Sequence, residues 1–381
     1  MAKDSMLDCL ALSFLEGIGA RTANAILNHF GSASAFLNAD ADTCREAGLN
    51  KETAAQLQAL KEAAYRRAEA EIELTRKHGV RIICREDAEF PDALKFCEDA
   101  PMVLYCKGSL SRGTPHGIAI VGTRQATLYG QEQTERLVSG LRNTNVHIVS
   151  GLALGIDTSA HEASLENKLP TWAVLAHGLE HIYPDENRDL ANRIIEHGGA
   201  VISEMPLFTV TKPGLFPRRN RIIAGLSQVT VVVESSMKGG AMHTAREADS
   251  YQRTVFAVPG RNGDTWSNGC NFLIRTGKAV LLQSAEDIRQ EIGYGKAAQG
   301  DLFAQGSEEK EVGVKFTPTP DQKILLDIFK KTNPISIDTL QAQSGKPVHE
   351  LLPLLLQLEM GGIVKSLPGS RYKQTANYTS L

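Results

Sequence analysis

The sequence predicts an α/β protein whose central domain is a doubly wound, Rossmann-like parallel sheet. Between residues 78 and 285, short β-branched runs alternate with amphipathic stretches of helical length. These runs are apolar throughout rather than at alternate positions, as in parallel strands that helices cover on both faces. The first run leads directly into Gly122-Thr123-Arg124 and then into a helix, a pattern typical of the carboxyl edge of such sheets.

Seven segments of the central domain have the composition of strands, and four of the stretches between them have the pattern of helices. The predicted strands are Ile118–Gly122, Val146–Val149, Thr171–Leu175, Ala200–Ser203, Val229–Glu234, Thr254–Val258 and Ala279–Leu282. The predicted helices are Gln131–Arg142, Thr158–Asn167, Arg188–His197 and Thr244–Gln252. Because ligands of such sheets bind outside the carboxyl ends of the strands, the loops there are where functional residues are expected.

The N-terminal region, residues 1–75, predicts a SAM-like (helix-hairpin-helix) domain of short helices. Apolar residues at helical spacing lie on both sides of Gly17-Ile18-Gly19, where a tight turn requires glycine. A weaker echo at Ala47-Gly48-Leu49 indicates a second copy of this unit.

The C-terminal region is predicted to be a separate domain. Residues 286–317 lose periodicity and are predicted to be a linker, and residues 318–376 have the pattern of a winged helix. That pattern consists of three helices followed by a two-stranded hairpin, with Pro353 near the first turn of the third helix, where proline is tolerated. The predicted helices are Gln322–Lys331, Thr339–Ser344 and Val348–Met360.

Composition narrows the functional classes. The formal net charge is −3, so any polyanion site depends on local clustering rather than on a field of the whole chain. The six cysteines are scattered without a Cys-x-x-Cys pair, which favours reduced, buried thiols over zinc or disulfides.

No apolar run approaches the roughly 20 residues that cross a bilayer, so we expect a cytoplasmic protein. His177 and His181 stand four residues apart without a third ligand, so neither a metal nor a cofactor is expected.

Three loops could hold phosphate. Gly122-Thr123-Arg124 precedes a helix whose first N–H groups, with the arginine, suit an anion, although glycine there also serves tight turning. Ser150-Gly151 opens the second loop, in which we interpret Asp157 as a helix N-cap and His161 as a packed histidine. The third loop contains Lys238-Gly239-Gly240, which is not a Walker A sequence, so ATP hydrolysis is not expected.

The segment 212–221 has the strongest signal. It carries four cations, no acid and one aromatic ring, a composition that suits a phosphate backbone and a stacked base. The alternative is a structural loop in which Arg219 or Arg221 pairs internally with Glu204, Glu234 or Glu247. The candidate contact residues are Lys212, Phe216, Arg218, Arg219, Asn220 and Arg221.

In order and spacing, these loops resemble the DNA-processing protein A (DprA/Smf) family. The matching segments are Gly122-Thr123-Arg124, Ser150–Ala153, Gly155–Asp157, Ala160-His161, Gly178-Leu179, Ile182–Pro184, Phe216-Pro217, Arg219–Arg221, Val233-Glu234, Gly239-Gly240, Thr244-Ala245, Val258–Gly260 and Gly269–Ile274. Lys238-Gly239 departs from the usual Ser-Gly, and His177 stands where a small residue is common. The flanking domains also match architectures of that family.

The resemblance implies binding of single-stranded DNA without strong sequence preference and loading of RecA recombinase onto it during natural transformation. It also implies a homodimer through the Rossmann-like domain and no catalytic turnover. By motif, Arg124 contacts DNA, Phe216 stacks a base, and Arg219 and Arg221 line a basic pocket. The register of Lys212 is not fixed, because Pro213 and Gly214 follow it.

Two other functions remain open. Gly239, Gly240, Thr244 and Glu247 resemble part of the Gly-Gly-x-Gly-Thr-x-x-Glu stretch of Rossmann-like nucleotide phosphoribohydrolases. A DNA-binding regulator that acts through the winged helix is the other alternative, and that domain could bind duplex DNA or a protein. Residues 1–75 carry 7 Lys/Arg and 11 Asp/Glu, which favours a structural or protein-contact role for them.

Overall fold

The computed structural model describes residues 3–40, 43–44, 51–110, 116–293, 318–331, 335–360, 363–367 and 371–374. The chain divides into two compact units, Met1–Gln299 and Gly300–Leu381. The finer division predicted from the sequence stays a prediction.

A nine-stranded sheet forms the centre of the first unit. Its strands are β1 (Arg81–Cys84), β2 (Val103–Gly108), β3 (His116–Val121), β4 (Val146–Ser150), β5 (Thr171–Leu175), β6 (Ala200–Ser203), β7 (Val229–Val232), β8 (Thr254–Ala257) and β9 (Val280–Leu281). Their order is β1-β2-β6-β5-β4-β3-β7-β8-β9. Strands β3 to β9 pair in parallel, which confirms the predicted fold class.

Strands β1 and β2 add an antiparallel edge that the sequence analysis missed. Strand β1 pairs with β2, and β2 pairs with β6, both antiparallel. The other seven strands were predicted from the alternation of strands with crossover helices. Antiparallel strands need no crossover, so this pattern does not reveal them.

Helices cover both faces of this sheet. They are α1 (Lys3–Phe14), α2 (Ala20–Phe30), α3 (Ala33–Leu37), α4 (Lys51–Lys77), α5 (Asp92–Lys95), α6 (Leu128–Gly140), α7 (Ile156–Glu166), α8 (Arg188–Glu196), α9 (Leu215–Leu226), α10 (Ala241–Ser250), α11 (Asn268–Arg275) and α12 (Ala285–Glu291). Alternate residues of β3 serve opposite faces. Ile118 and Ile120 pack in the cluster that includes α6 and α7, whereas Ala119 and Val121 pack in the one that includes α9 and α10. The apolar strands are thus buried on both sides.

The N-terminal helices pack on the antiparallel edge of the sheet. Asn24 on α2 donates hydrogen bonds to the carbonyls of Glu98 and Ala100, and the N–H of Leu207 donates to the Glu71 carboxylate on α4. Helix α4 has 27 residues, so the expectation that residues 5–75 form only short helices is wrong. The turn at Gly17 has the expected positive φ of 81°, whereas Gly19, for which an unusual φ was also expected, has an ordinary extended backbone with φ −84°. The predicted second hairpin, at 47–49, lies outside the described residues.

The second unit contains helices α13 (Pro320–Lys331), α14 (Ile337–Ser344) and α15 (Val348–Met360), with strands β10 (Ile335–Ser336), β11 (Val364–Leu367) and β12 (Arg371–Gln374). The strands pair in the order β10-β12-β11, so a short strand is added to the predicted three helices and hairpin. Pro353 lies in the second turn of α15 rather than near its first. Residues 286–291, predicted as linker, continue helix α12, and 294–317 lie outside the described residues.

None of the described helices is long and apolar enough to cross a membrane.

Candidate nucleic-acid interface

Loops from neighbouring parallel strands meet at the carboxyl edge of the sheet. The chain proceeds outward from β3 to β6 on one side and from β7 to β9 on the other, so the strand order reverses between β3 and β7. Crevices at such reversals are the usual ligand sites of doubly wound sheets. Here the loops after β3, β4 and β7, with the start of α9, line a cavity of about 430 Å³, which we call the first cavity.

The first cavity brings together seven of the twelve residues that the sequence predicts as contacts. They are Gly122, Arg124, Phe216, Arg219, Asn220, Gly239 and Gly240. The other five are absent from its lining: Gly151, Lys212, Arg218, Arg221 and Lys238. The side chains of Lys212, Arg218 and Lys238 are exposed.

Arg124 and Phe216 form the pair that most resembles a nucleic-acid site. Arg124 is exposed, and its guanidinium carbon lies 5.0 Å from the centre of the half-buried Phe216 ring. The Pro- and Gly-rich composition around Phe216 indicates a loop. In the structure, Phe216 instead lies in the first turn of helix α9, which begins at Leu215. Proline is tolerated at position 217, because the N–H groups in the first turn of a helix have no hydrogen-bond acceptor within the helix.

Arg219 lies beneath Phe216 as a buried cation with fixed partners. It is 6% exposed, and its Nη1 donates to the carbonyls of Gly151 at 2.5 Å and Val174 at 2.7 Å. Burial lowers the pKa of Arg219 from its ordinary value, while the charge of Asp157 opposes that shift. Burial also raises the pKa of Asp157, which the charge of Arg219 opposes. Arg219 therefore shapes the cavity floor, held by strands β4 and β5.

Arg221 forms an internal ion pair, which is the alternative to a DNA contact that the sequence left open. It is 8% exposed and forms an ion pair with Glu204, together with a hydrogen bond to the carbonyl of Asp99. Successive helical residues are about 100° apart. Arg221 consequently points to the side of α9 that packs on the 92–100 segment, and its charge is compensated there. The exposed Arg218 also lies near Glu204, at 3.7 Å.

The glycines of these loops are explained mainly by close packing. A Cβ on Gly151 would lie 1.9 Å from Nη1 of Arg219, and one on Gly122 would lie 2.5 Å from the Ile156 side chain. A Cβ on Gly239 would meet Oγ of Ser235 at 2.3 Å, whereas one on Gly240 would have open space around it. Of these four glycines, Gly240 alone has room for a side chain.

The second loop differs from its sequence interpretation at one residue. Gly155, not Asp157, is the N-cap of α7, and the Asp157 carboxylate accepts a hydrogen bond from the N–H of Gly151 at 3.1 Å. His161 is a packed histidine, as predicted. It is fully buried with Nδ1 2.7 Å from Oγ1 of Thr171, and burial lowers its pKa to about 3.

The His177 and His181 rings stack with their centres 4.3 Å apart. No group of three or more metal-ligating side chains occurs within the part of the chain that the structure describes.

Trp266 is the functional candidate that sequence reasoning missed. Its half-buried indole lines the first cavity, although it lies in the loop that follows β8. That loop carries one arginine, Arg261, rather than a cluster of basic residues, so its composition does not indicate a phosphate site. An aromatic residue in the polar stretch 260–268 is the signal that could have identified it.

Comparison with known proteins gives matches to three family profiles. Residues 81–293 match the profile of the DNA recombination-mediator protein A family, residues 313–370 that of the DprA winged helix domain, and residues 10–59 that of the SAM-like helix-hairpin-helix tandem. Protein Smf of Escherichia coli is 35% identical over 289 residues, which cover 74% of this chain and 75% of the relative.

Two solved structures are similar at 31% identity. DNA processing protein A from Streptococcus pneumoniae has a TM-score of 0.63 and covers 74% of this chain and 95% of its own. DNA processing protein A from Helicobacter pylori, whose structure is described for its single-stranded DNA binding mode, has a TM-score of 0.50 and covers 56% and 95%.

Proposed function

Because the chain belongs to the DNA recombination-mediator protein A (DprA/Smf) family, we propose that it binds single-stranded DNA in the first cavity, without strong sequence preference. The observation that carries this proposal is the placement of an exposed cation, Arg124, against an aromatic ring, Phe216, at the switch point of the sheet. The single-stranded DNA binding described for the Helicobacter pylori protein supports it.

The chemistry of the cavity suits an unpaired strand. Arg124 donates charge-assisted hydrogen bonds to a phosphate, and the ring of Phe216 stacks a base. Every base has a π face, so stacking tolerates all sequences. Lys212, Arg218 and Lys238 are exposed on neighbouring loops and α9, where they add positive charge for the flanking phosphates. Duplex DNA offers no free base face to Phe216.

Fluorescence anisotropy with labelled oligothymidine and a hairpin duplex, titrated with salt, tests this proposal. We expect tighter binding to the single strand and a log–log salt slope near −0.7 for each neutralised phosphate. Equal or tighter binding to the duplex would contradict it. Incubation with AMP should release no adenine, whereas release would favour the phosphoribohydrolase alternative.

We further propose that the bound strand is passed to RecA recombinase during natural transformation and that the protein acts as a homodimer through its Rossmann-like domain. The recombination-mediator description of the matching family supports the first role. The test is whether the protein accelerates RecA ATPase activity on strands coated with single-strand-binding protein, with Arg124→Ala as control. Sedimentation equilibrium tests the dimer.

A further inference from the structure

A second cavity adjoins the first at the carboxyl edge of the sheet. It measures about 790 Å³ and lies between the start of α6, at Leu128 and Tyr129, and the loop from Pro259 to Ser267. Trp266 lines both cavities, so the two adjoin at this residue. The start of α6 is also the element that directly follows the Arg124 loop.

In the second cavity, the ring of Tyr129 and the loop that carries Trp266 are held in place before any ligand arrives. Tyr129 is 42% exposed, yet its hydroxyl donates a 2.7 Å hydrogen bond to the carbonyl of Pro259, which fixes the ring across the cavity. The carbonyl of Trp266 accepts a 2.6 Å hydrogen bond from the N–H of Ser235, which ties its loop to the one after β7. Fixed rings lose little conformational entropy on stacking.

The charge of the second cavity differs from that of the first. Glu234 turns its carboxylate inward, where it accepts hydrogen bonds from the N–H of Thr127 at 2.9 Å and from its hydroxyl at 2.5 Å. Arg261 and Asp264 are both exposed along the lining, one cation against one anion. With Glu234 included, the lining carries one cation and two carboxylates, and a cavity with aromatic walls and this charge suits an uncharged nucleobase better than a phosphate.

We propose that the second cavity binds a nucleobase of the same single strand, next to the nucleotide held by Arg124 and Phe216, with Tyr129 and Trp266 as its stacking residues. This inference rests on the proposed function, because it requires a strand in the first cavity. Because the two cavities share Trp266, a strand bound in the first lies beside the second, which selects the same strand as the occupant. The phosphates follow the cations of the first cavity and the exposed loops, while bases enter both cavities.

Binding of oligothymidine by Tyr129 variants tests the proposal in the full-length protein. Tyr129→Ala removes one stacking ring, so we expect affinity to fall roughly 5- to 150-fold. Tyr129→Phe keeps the ring and loses only the hydroxyl, and should stay within about threefold of the unmodified protein. A strand of the same length without bases should bind both variants and the unmodified protein equally.

Tryptophan fluorescence gives a second readout that needs no variant. The chain has two tryptophans, and Trp172 is 4% exposed, stacked on His147 inside the sheet. Quenching by acrylamide therefore reports on Trp266. We expect oligothymidine to protect this indole from acrylamide and the base-free strand to leave it accessible.

The outcomes separate this inference from the proposed function. If the unmodified protein binds no single strand, the proposed function fails and this inference fails with it. If Arg124→Ala abolishes binding while Tyr129→Ala binds normally and Trp266 stays accessible, the proposed function stands and the second base site is overturned. A second cavity filled by a partner protein would give the same negative result with DNA alone.

Discussion

The guanidinium carbon of Arg124 lies 5.0 Å from the centre of the Phe216 ring, although one residue follows β3 and the other begins α9. The guanidinium carbon of Arg219 lies 6.0 Å from the same ring. Contacts between a cation and an aromatic face stabilise by about 0.5–2 kcal/mol, more when water is excluded. The ring thus orients an exposed arginine and a buried one, and a strand of DNA would meet a site already assembled.

Arg124→Ala should weaken binding of oligothymidine by roughly 10- to 150-fold, the value of a hydrogen bond to a charged group. Its salt slope should also decrease by about 0.7, because one phosphate contact is lost. Arg124 is exposed, so the loss of its contact with Phe216 should lower the melting temperature by no more than a few degrees. Arg136→Ala, an exposed arginine further along α6, is the matched control. If both variants bind alike, Arg124 does not contact DNA.

Phe216→Leu should reduce the affinity for oligothymidine roughly 5- to 150-fold, since leucine fills the half-buried position without an aromatic face. Phe216→Trp keeps a larger face and should retain binding. Anisotropy titrations of the two variants at one salt concentration measure the difference. A leucine variant that binds as tightly as the tryptophan variant would show that packing, rather than stacking, is the role of this ring.

The sequence predicted the sheet, its carboxyl edge and the meeting of Arg124 with Phe216, because parallel strands bring their carboxyl ends to one side. It could not predict which faces of α9 are buried. The sequence does not distinguish Arg218, Arg219 and Arg221 from one another. Their different environments depend on Glu204 and Asp157, which come from other strands and loops. Trp266 was missed for a related reason, since only the tertiary fold brings its loop beside β7.

Arg219→Ala should destabilise the protein, because it leaves the buried carbonyls of Gly151 and Val174 without their donor, at a cost of about 1–3 kcal/mol each. Charge reversal at Arg219 should also disturb the fold, because the side chain is 6% exposed and is held by two carbonyl partners. Urea unfolding measures the change, with the exposed Arg218→Ala as control. Adding Asp157→Asn to Arg219→Ala should restore part of the loss. A fully additive double variant would argue against charge coupling between the two.

Gly151→Ala should distort the first cavity without touching DNA directly. The new Cβ would lie 1.9 Å from Nη1 of Arg219, which must then leave the carbonyls it binds. We expect a lower melting temperature and weaker oligothymidine binding. Gly240→Ala is the control for the melting temperature, because its Cβ would meet no atom within 4 Å and its φ of −59° is ordinary for alanine. Equal melting temperatures for the two variants would contradict the packing role of Gly151.

His161 should make the stability of the protein depend on pH. Its folded-state pKa is lowered to about 3 by burial, below the usual 6.5, so the unfolded chain binds a proton that the folded chain refuses. Stability from this residue is complete above pH 6.5 and is lost as the pH falls towards 3, by about 1.4 kcal/mol per unit well below 6.5. His161→Gln keeps a donor for Thr171 and has no such titration. Urea unfolding of both proteins between pH 7.5 and 5 should therefore show that the unmodified protein loses stability relative to the His161→Gln variant as the pH falls. A difference that stays constant with pH would mean that His161 is protonated in the folded state, contrary to its complete burial.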